Sequence, residues 1–193
     1  MREIVDTSFR GHVHPLQTGG ILIFMFAWTL GCGGSADNSQ ERAASAEARS
    51  IDLDACELLG ATDAAEILGG EVGEPTRGIQ SAGDERNAAM SSCSYEGPSG
   101  RSVNLMVRHS PTQDNTPSAI GTVREGSAAL GELEDVTGVG DTAFAVRFSG
   151  ENSVQLHVFW GGDRYQMVTV QGFEHDGGIE RAKTVARLVM DRL

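Results

Sequence analysis

Cys32, Cys56 and Cys93 are the only thiols in the chain. An odd count leaves at least one of them outside an internal bridge. There is no C-x-x-C pair, and no histidine stands at ligand spacing from Cys56 or Cys93. His12 and His14 lie in the N-terminal segment, while His109, His157 and His175 are far apart and show neither H-x-H nor H-x-x-x-H spacing. We therefore assign no metal site. The alternation around them places His109 at a strand end, His157 on the outer face of a strand and His175 in a loop. No serine stands in G-x-S-x-G, the motif that would expose a nucleophile on a strand-to-helix turn. Glu132, Glu134 and Asp135 lack the D-x-D-x-D-G order of a calcium loop and read as a solvated turn. Gly138-Val139-Gly140-Asp141 has two glycines of a dinucleotide fingerprint. The third is missing, and a strand rather than a helix follows, so a turn entering a strand is the reading. No catalytic residue and no cofactor is put forward.

The elements that would hold these residues follow from hydrophobic period. Ala55 to Leu59 carries a short apolar turn, and Asp63-Ala64-Ala65-Glu66 reads as a capping box opening a brief helix that stops at Gly69-Gly70. The Gly-, Glu- and Ser-rich stretch from about residue 73 to 90 shows no period. Ser92 to Glu96 and Ser102 to His109 read as strands; in the second, Val103, Leu105 and Val107 alternate with Asn104, Met106 and Arg108. Thr116 and Pro117 form an N-cap and first position for a helix towards Leu130. Further strands are predicted through Phe144, Val146 and Phe148, through Val154, Leu156 and Val158, and from Arg164 to Gln171 after the turn Gly161-Gly162-Asp163. A last helix, beginning after Gly178, presents Ile179, Ala182, Val185, Ala186 and Val189 on one face. The segment Ser102 to Val107 echoes Ser153 to Val158, which suggests a duplicated βββα unit. The expected class is α+β, antiparallel sheet with helices on one face.

The chain has 193 residues and carries 27 acidic against 15 basic side chains, a formal charge of −12. That balance argues against a nucleic-acid partner. The long apolar run Ile21 to Leu30 is followed at once by Gly31 and Cys32. It is too short to span a bilayer, which takes about 20 residues, and it fits the apolar core of a secretory signal. Thr29-Leu30-Gly31-Cys32, followed by Gly33-Gly34-Ser35, resembles the lipobox of bacterial lipoprotein signal peptides. The resemblance implies that residues 1–31 are a removable signal peptide and that Cys32 is lipidated and becomes the first residue. Gly33 to Ser50 has no bulky apolar side chain and reads as a disordered tether with a reach on the order of 20–25 Å. Residues 51–193 form the folded domain. The implied location is exported and membrane-anchored, facing the periplasm or the cell exterior. Gly33, where an inner-membrane aspartate would stand in that family, points to the outer membrane. Acyl chains at about 0.8 kcal/mol per buried CH₂ would hold the protein without a basic patch.

With Cys32 assigned to lipid, Cys56 and Cys93 remain. In an oxidising compartment they are expected to bridge; two free buried thiols, or a redox or metal pair, are the alternatives. Cys56-Glu57-Leu58-Leu59, a helix ending in Leu68-Gly69, Cys93-Ser94-Tyr95, Gly138 to Ala143 before a strand and an amphipathic C-terminal helix together resemble small bacterial envelope lipoproteins without an assigned function. That resemblance also implies the Cys56–Cys93 disulfide and a compact α+β domain.

Of the seven aromatic residues after Cys32, six fall between Phe144 and Phe173. Phe159 and Trp160 are consecutive and must face opposite sides of a strand. Whichever is exposed, together with Tyr165, is the candidate contact surface. The expected function is a non-catalytic, lipid-anchored binding or accessory module with an envelope protein or glycan as partner. An envelope hydrolase is the alternative.

Overall fold

A computed structural model of the protein describes residues 51–193. Cys32, the apolar run before it and the tether lie outside the described residues.

The described chain opens with two short helices. Asp54 caps α1 (Ala55–Leu58), its carboxylate accepting the Cys56 N–H at 2.9 Å. In α2 (Ala61–Leu68) the Asp63 carboxylate reaches back to the Gly60 N–H at 3.2 Å. Asp63 is thus the third helical residue of the box rather than its cap, and the helix starts earlier than expected. It stops at Gly69, whose φ of +74° is left-handed.

Seven strands follow: β1 (Thr76–Ser81), β2 (Ala89–Glu96), β3 (Ser102–His109), β4 (Gly131–Val136), β5 (Thr142–Phe148), β6 (Ser153–Trp160) and β7 (Arg164–Gln171). They make one sheet in the order β1-β2-β3-β7-β6-β5-β4, antiparallel throughout. Helix α3 (Pro117–Ala128) leaves β3, and α4 (His175–Arg192) leaves β7. The class is α+β, as expected. Strand runs ending in a helix occur twice, but the second run has four strands.

Side chains alternate between the two faces of the sheet. Val103, Leu105, Ala145, Val154, Leu156, Val158, Val168 and Val170 point to one face, where they form the main core with α1, α2 and the buried stripe of α4. That stripe is Ile179, Ala182, Val185, Ala186 and Val189, as the 3.6-residue period requires. Gln166 lies fully buried in this layer, its amide donating to the Ala186 carbonyl at 3.0 Å.

The second face departs from expectation. Phe144, Val146 and Phe159 form a separate cluster on it, packed by Ile120 and Val123 of α3. Helices α1, α2 and α4 share one face, whereas α3 lies on the other. The reason is local: β5 and β6 are buried on successive residues rather than alternate ones, so both of their faces need a cover. Helix α3 is a modest cover. Thr116 caps it by accepting the Ala119 N–H at 3.2 Å, but Ser127 is its one fully buried residue. Gly121 and Gly126 have open space where a Cβ would stand, with nothing within 4 Å. Gly126→Ala is expected to stabilise the domain by about 1 kcal/mol, read as a raised melting temperature, because an interior helical glycine costs roughly that much.

Two elements lie where no period was legible. β1 falls within the stretch from residue 73 to 90 and is exposed along its whole length. β4 contains Glu132, Glu134 and Asp135, which are therefore residues of an edge strand and not of a turn. Arg147 holds Glu134 at 2.7 Å, and Arg124 holds Asp135 at 2.6 Å.

Candidate functional site

The sheet register assembles the second face row by row. One row runs Ser94, Asn104, Thr169, Gln155 from β2 through β3 and β7 to β6. The next runs Ser92, Met106, Met167, His157, and continues to Phe144 on β5. A third runs Met90, Arg108, Tyr165, Phe159. Among the described residues, α3 lies over the β5–β6 end of these rows and no helix lies over the β2–β3 end.

Under α3, His157 is only 3% exposed. The expectation of an outward-facing histidine is corrected, because its face of the strand is roofed. Its ring stacks on Phe144 with centroids 4.6 Å apart and planes 13° from parallel. Nε2 lies 3.0 Å from Gln155 Oε1, and Nδ1 lies 2.8 Å from the Tyr165 hydroxyl. The Gln155 amide is oriented by donating to Thr169 Oγ1 at 3.2 Å. One tautomer satisfies every partner: Nε2–H donates to Gln155, and Nδ1 accepts from Tyr165. Burial pushes the His157 pKa down to about 4 and pushes the Tyr165 hydroxyl up, so both are neutral at pH 7.

This arrangement bears on the hydrolase alternative. Ser127 Oγ stands 3.4 Å from His157 Nε2, a serine–histidine pair inside the protein. The Nε2 proton is directed at Gln155, and the Ser127 hydroxyl donates to the Val123 carbonyl at 2.8 Å. A general base needs a free lone pair facing the nucleophile's proton. Ser127 is instead a helical residue bonding its own turn.

The uncovered end of the face has a different character. Asn104 donates to Ser94 Oγ at 2.6 Å, and Ser102 donates to Gln171 Oε1 at 2.9 Å. With Gln155 and Thr169 these groups line an open groove of about 390 Å³, with Met167 on its wall. The lining is amide, hydroxyl and thioether, with Glu96 as the charged group in it. Arg108, one row away, is held by Asp114 and Ser110. Concave, and lined by hydrogen-bonding groups around one carboxylate, this groove is a candidate ligand site.

No protein-family model, curated protein or solved structure matches the chain.

The expected contact residues are displaced by that geometry. Phe159 and Trp160 do face opposite sides of β6, but they are 4% and 7% exposed. Phe159 stacks on Tyr165 at 4.8 Å beneath α3, and Trp160 belongs to the main core. Tyr165 is half-buried and spends its hydroxyl on His157. None of the three supplies the exposed aromatic patch that was expected, because both faces of β6 are covered.

Other residues singled out in the sequence are structural. Cys56 and Cys93 are bridged, with Cα atoms 5.2 Å apart, and join α1 to the centre of β2. The Gly138–Asp141 segment is a turn into β5: Gly138 and Gly140 have φ of +80° and +62°. Arg187 binds the Gly138 carbonyl through Nε and Nη2 at 3.3 and 3.2 Å, and Asp141 accepts the Gly161 N–H at 2.8 Å. His109 ends β3, 3.5 Å from Asp163, and His175 begins α4 rather than lying in a loop. Among the described residues, no three His, Cys, Asp or Glu side chains are grouped to hold a metal ion.

Asn104, Gln155, Thr169 and the methionines beside them were not picked out from the sequence. Their alternation with Val103, Leu105, Leu156 and Val168 marks them as one face. Nothing local marks that face as uncovered.

Proposed function

We propose that this protein is exported, anchored to an envelope membrane by lipid on Cys32, and acts through its domain by binding rather than catalysis. The observation that carries the binding reading is the half of the second sheet face that no helix of the described residues covers, a hydrogen-bonding groove with a single carboxylate, Glu96, on a chain of net charge −12. A body so acidic repels anionic partners over most of its surface. The groove suits an uncharged surface, such as a glycan or a neutral patch of another envelope protein. The apolar run ending at Gly31-Cys32 supports export and lipidation, and the Cys56–Cys93 bridge suits an oxidising compartment.

Membrane-extracted protein is expected to have an intact mass that begins at Cys32 and includes lipid. Cys32→Ser should remove the lipid and shift the protein out of the membrane fraction. An unmodified full-length chain in the soluble fraction would overturn the anchoring reading. For the groove, a photocrosslinker at Asn104 should couple to a partner in the intact envelope, and Thr169→Glu should abolish that product while leaving the melting temperature within a few degrees. Coupling unaffected by Thr169→Glu would move the contact surface elsewhere.

A further inference from the structure

We propose that the groove on the second face takes an uncharged oligosaccharide bearing N-acetyl groups. The inference rests on the groove being the contact surface of the domain.

Hydrogen bonds inside the groove set which groups are left for a ligand. The Asn104 amide donates to Ser94 Oγ at 2.6 Å, which leaves the Ser94 hydroxyl proton unspent. The Gln155 amide donates to Thr169 Oγ1 and leaves the Thr169 proton unspent in the same way. Gln155 does not turn over to take that proton, because its carbonyl oxygen receives His157 Nε2–H. Ser102 donates to Gln171 Oε1, so the Gln171 amide N–H groups are free as well. Ser94, Thr169 and Gln171 are thus three oriented donors without an acceptor among the described residues.

The donors are spread rather than convergent. Ser94 on β2 and Thr169 on β7 flank Asn104 on β3 in the register, about 10 Å apart at about 4.8 Å per strand. Gln171 is two residues along β7 from Thr169, about 7 Å away. A single small ion or solute does not reach all three, so the ligand they fit is extended.

Strand order argues against a peptide held by its backbone. β2, β3, β7 and β6 are interior strands whose main-chain groups are spent on their neighbours, and strand addition needs an open edge. Recognition therefore falls to side chains. The lining has no aromatic ring and no cation, so it offers neither stacking nor a counter-charge for an anion. Glu96, its one carboxylate, repels anions and accepts hydroxyl protons. Hydroxyls for Glu96, carbonyl oxygens for Ser94, Thr169 and Gln171, and no net charge describe a carbohydrate with acetamido substituents. Met167 on the wall gives the acetamido methyl an apolar contact. The groove, at about 390 Å³, has room for a short oligosaccharide.

The test uses the full chain with Cys32→Ser, which removes the lipid and no group of the groove. Tri-N-acetylchitotriose is the probe, and cellotriose, with the same linkage and no acetamido group, is its control. NMR signals of the methionine ε-methyls and of the Asn and Gln side-chain amides are followed during titration. Chitotriose is expected to move the Met167, Asn104 and Gln155 signals in a saturable way and to leave Met190, packed with the main core, in place. Cellotriose should bind about tenfold more weakly, as should chitotriose to Thr169→Val or Ser94→Ala, each of which deletes one donor and leaves the melting temperature within a few degrees. No shift with chitotriose at about 10 mM, equal affinity for cellotriose, or undiminished binding in both variants would overturn the proposal. The photocrosslinker at Asn104 separates the two failures. Coupling to a protein in the intact envelope without chitotriose binding would keep the groove as a contact surface and sink the saccharide alone. Neither coupling nor chitotriose binding would sink both.

Discussion

Replacing Cys56 and Cys93 together with alanine is expected to cost the domain about 4 kcal/mol and to lower its melting temperature by roughly 10–15 °C. The bridged residues are 37 apart in sequence. Closing a loop of that length removes about 13 cal/mol/K from the unfolded chain, which is the source of the 4 kcal/mol. The segment inside the loop needs this help. It holds α1, a four-residue helix that cannot persist alone, and β1, an edge strand with no buried residue. The bridge fastens α1 to β2, where Cys93 is fully buried between Ser91 and Tyr95 on the core face. Chemical denaturation of the oxidised, reduced and double-alanine proteins gives the measurement. Reduced and double-alanine forms should lose similar amounts, with amide protection in α1, α2 and β1 disappearing first. A loss below about 1 kcal/mol would mean that the unfolded chain is already confined by other means.

How far the fold could be read from the sequence depended on burial contrast. β3 and β7 were found with their full bounds because one face is aliphatic and the other polar, as Leu105 beside Asn104 and Val168 beside Thr169 make plain. The α4 stripe was legible for the same reason. β1 was invisible, since six exposed residues produce no period. It is held by pairing, and by a bulge where the Ile79 N–H donates to Ser92 Oγ at 2.8 Å. β4 was hidden by its acids, two of which, Asp135 and Glu134, are met by Arg124 and Arg147 from the elements on either side of it, α3 and β5.

The candidate site is less legible in the sequence than the fold. Large aromatic residues on β5 and β6 attracted a contact reading, yet they are large because two layers meet there: the main core on one side and α3 on the other. What is open is the small and flexible side chains of the neighbouring strands. Where α3 ends its cover is decided by the path of residues 110–116, which Arg108 and Asn115 tie to Asp114 and the Arg164 carbonyl. Sequence period reports which face a residue takes, and it is silent on what roofs that face.

Acidification from pH 7 to pH 4 is expected to remove about 3 kcal/mol of stability through His157 alone. An unfolded histidine titrates near 6.5, whereas in the fold burial pushes His157 down to about 4. Between those values the unfolded chain binds a proton that the folded chain refuses. Stability from this group is therefore complete above about pH 6.5, falls as pH drops, and stops falling once both states are protonated. A second loss belongs to lower pH. The Arg77, Arg192 and Arg108 guanidiniums hold Asp54, Asp63 and Asp114 below the ordinary carboxylate value of 3.8, and backbone N–H groups led by that of Arg86 do the same for Asp84. Their contribution is present above 3.8 and disappears as each carboxylate protonates in the fold. The two windows are separable by His157→Gln, which should flatten the slope between pH 6.5 and 4 while leaving the acid limb. The structural consequence is local before it is global. A protonated ring between Phe144, Tyr165 and Ser127 is paired with no carboxylate of the described residues, so hydration requires α3 to lift. Amide exchange in α3 should accelerate across the same window while α4 remains protected. Equal protection of α3 at pH 7 and pH 4.5 would show that His157 titrates without disturbing its cover, and would place the acid sensitivity elsewhere in the fold.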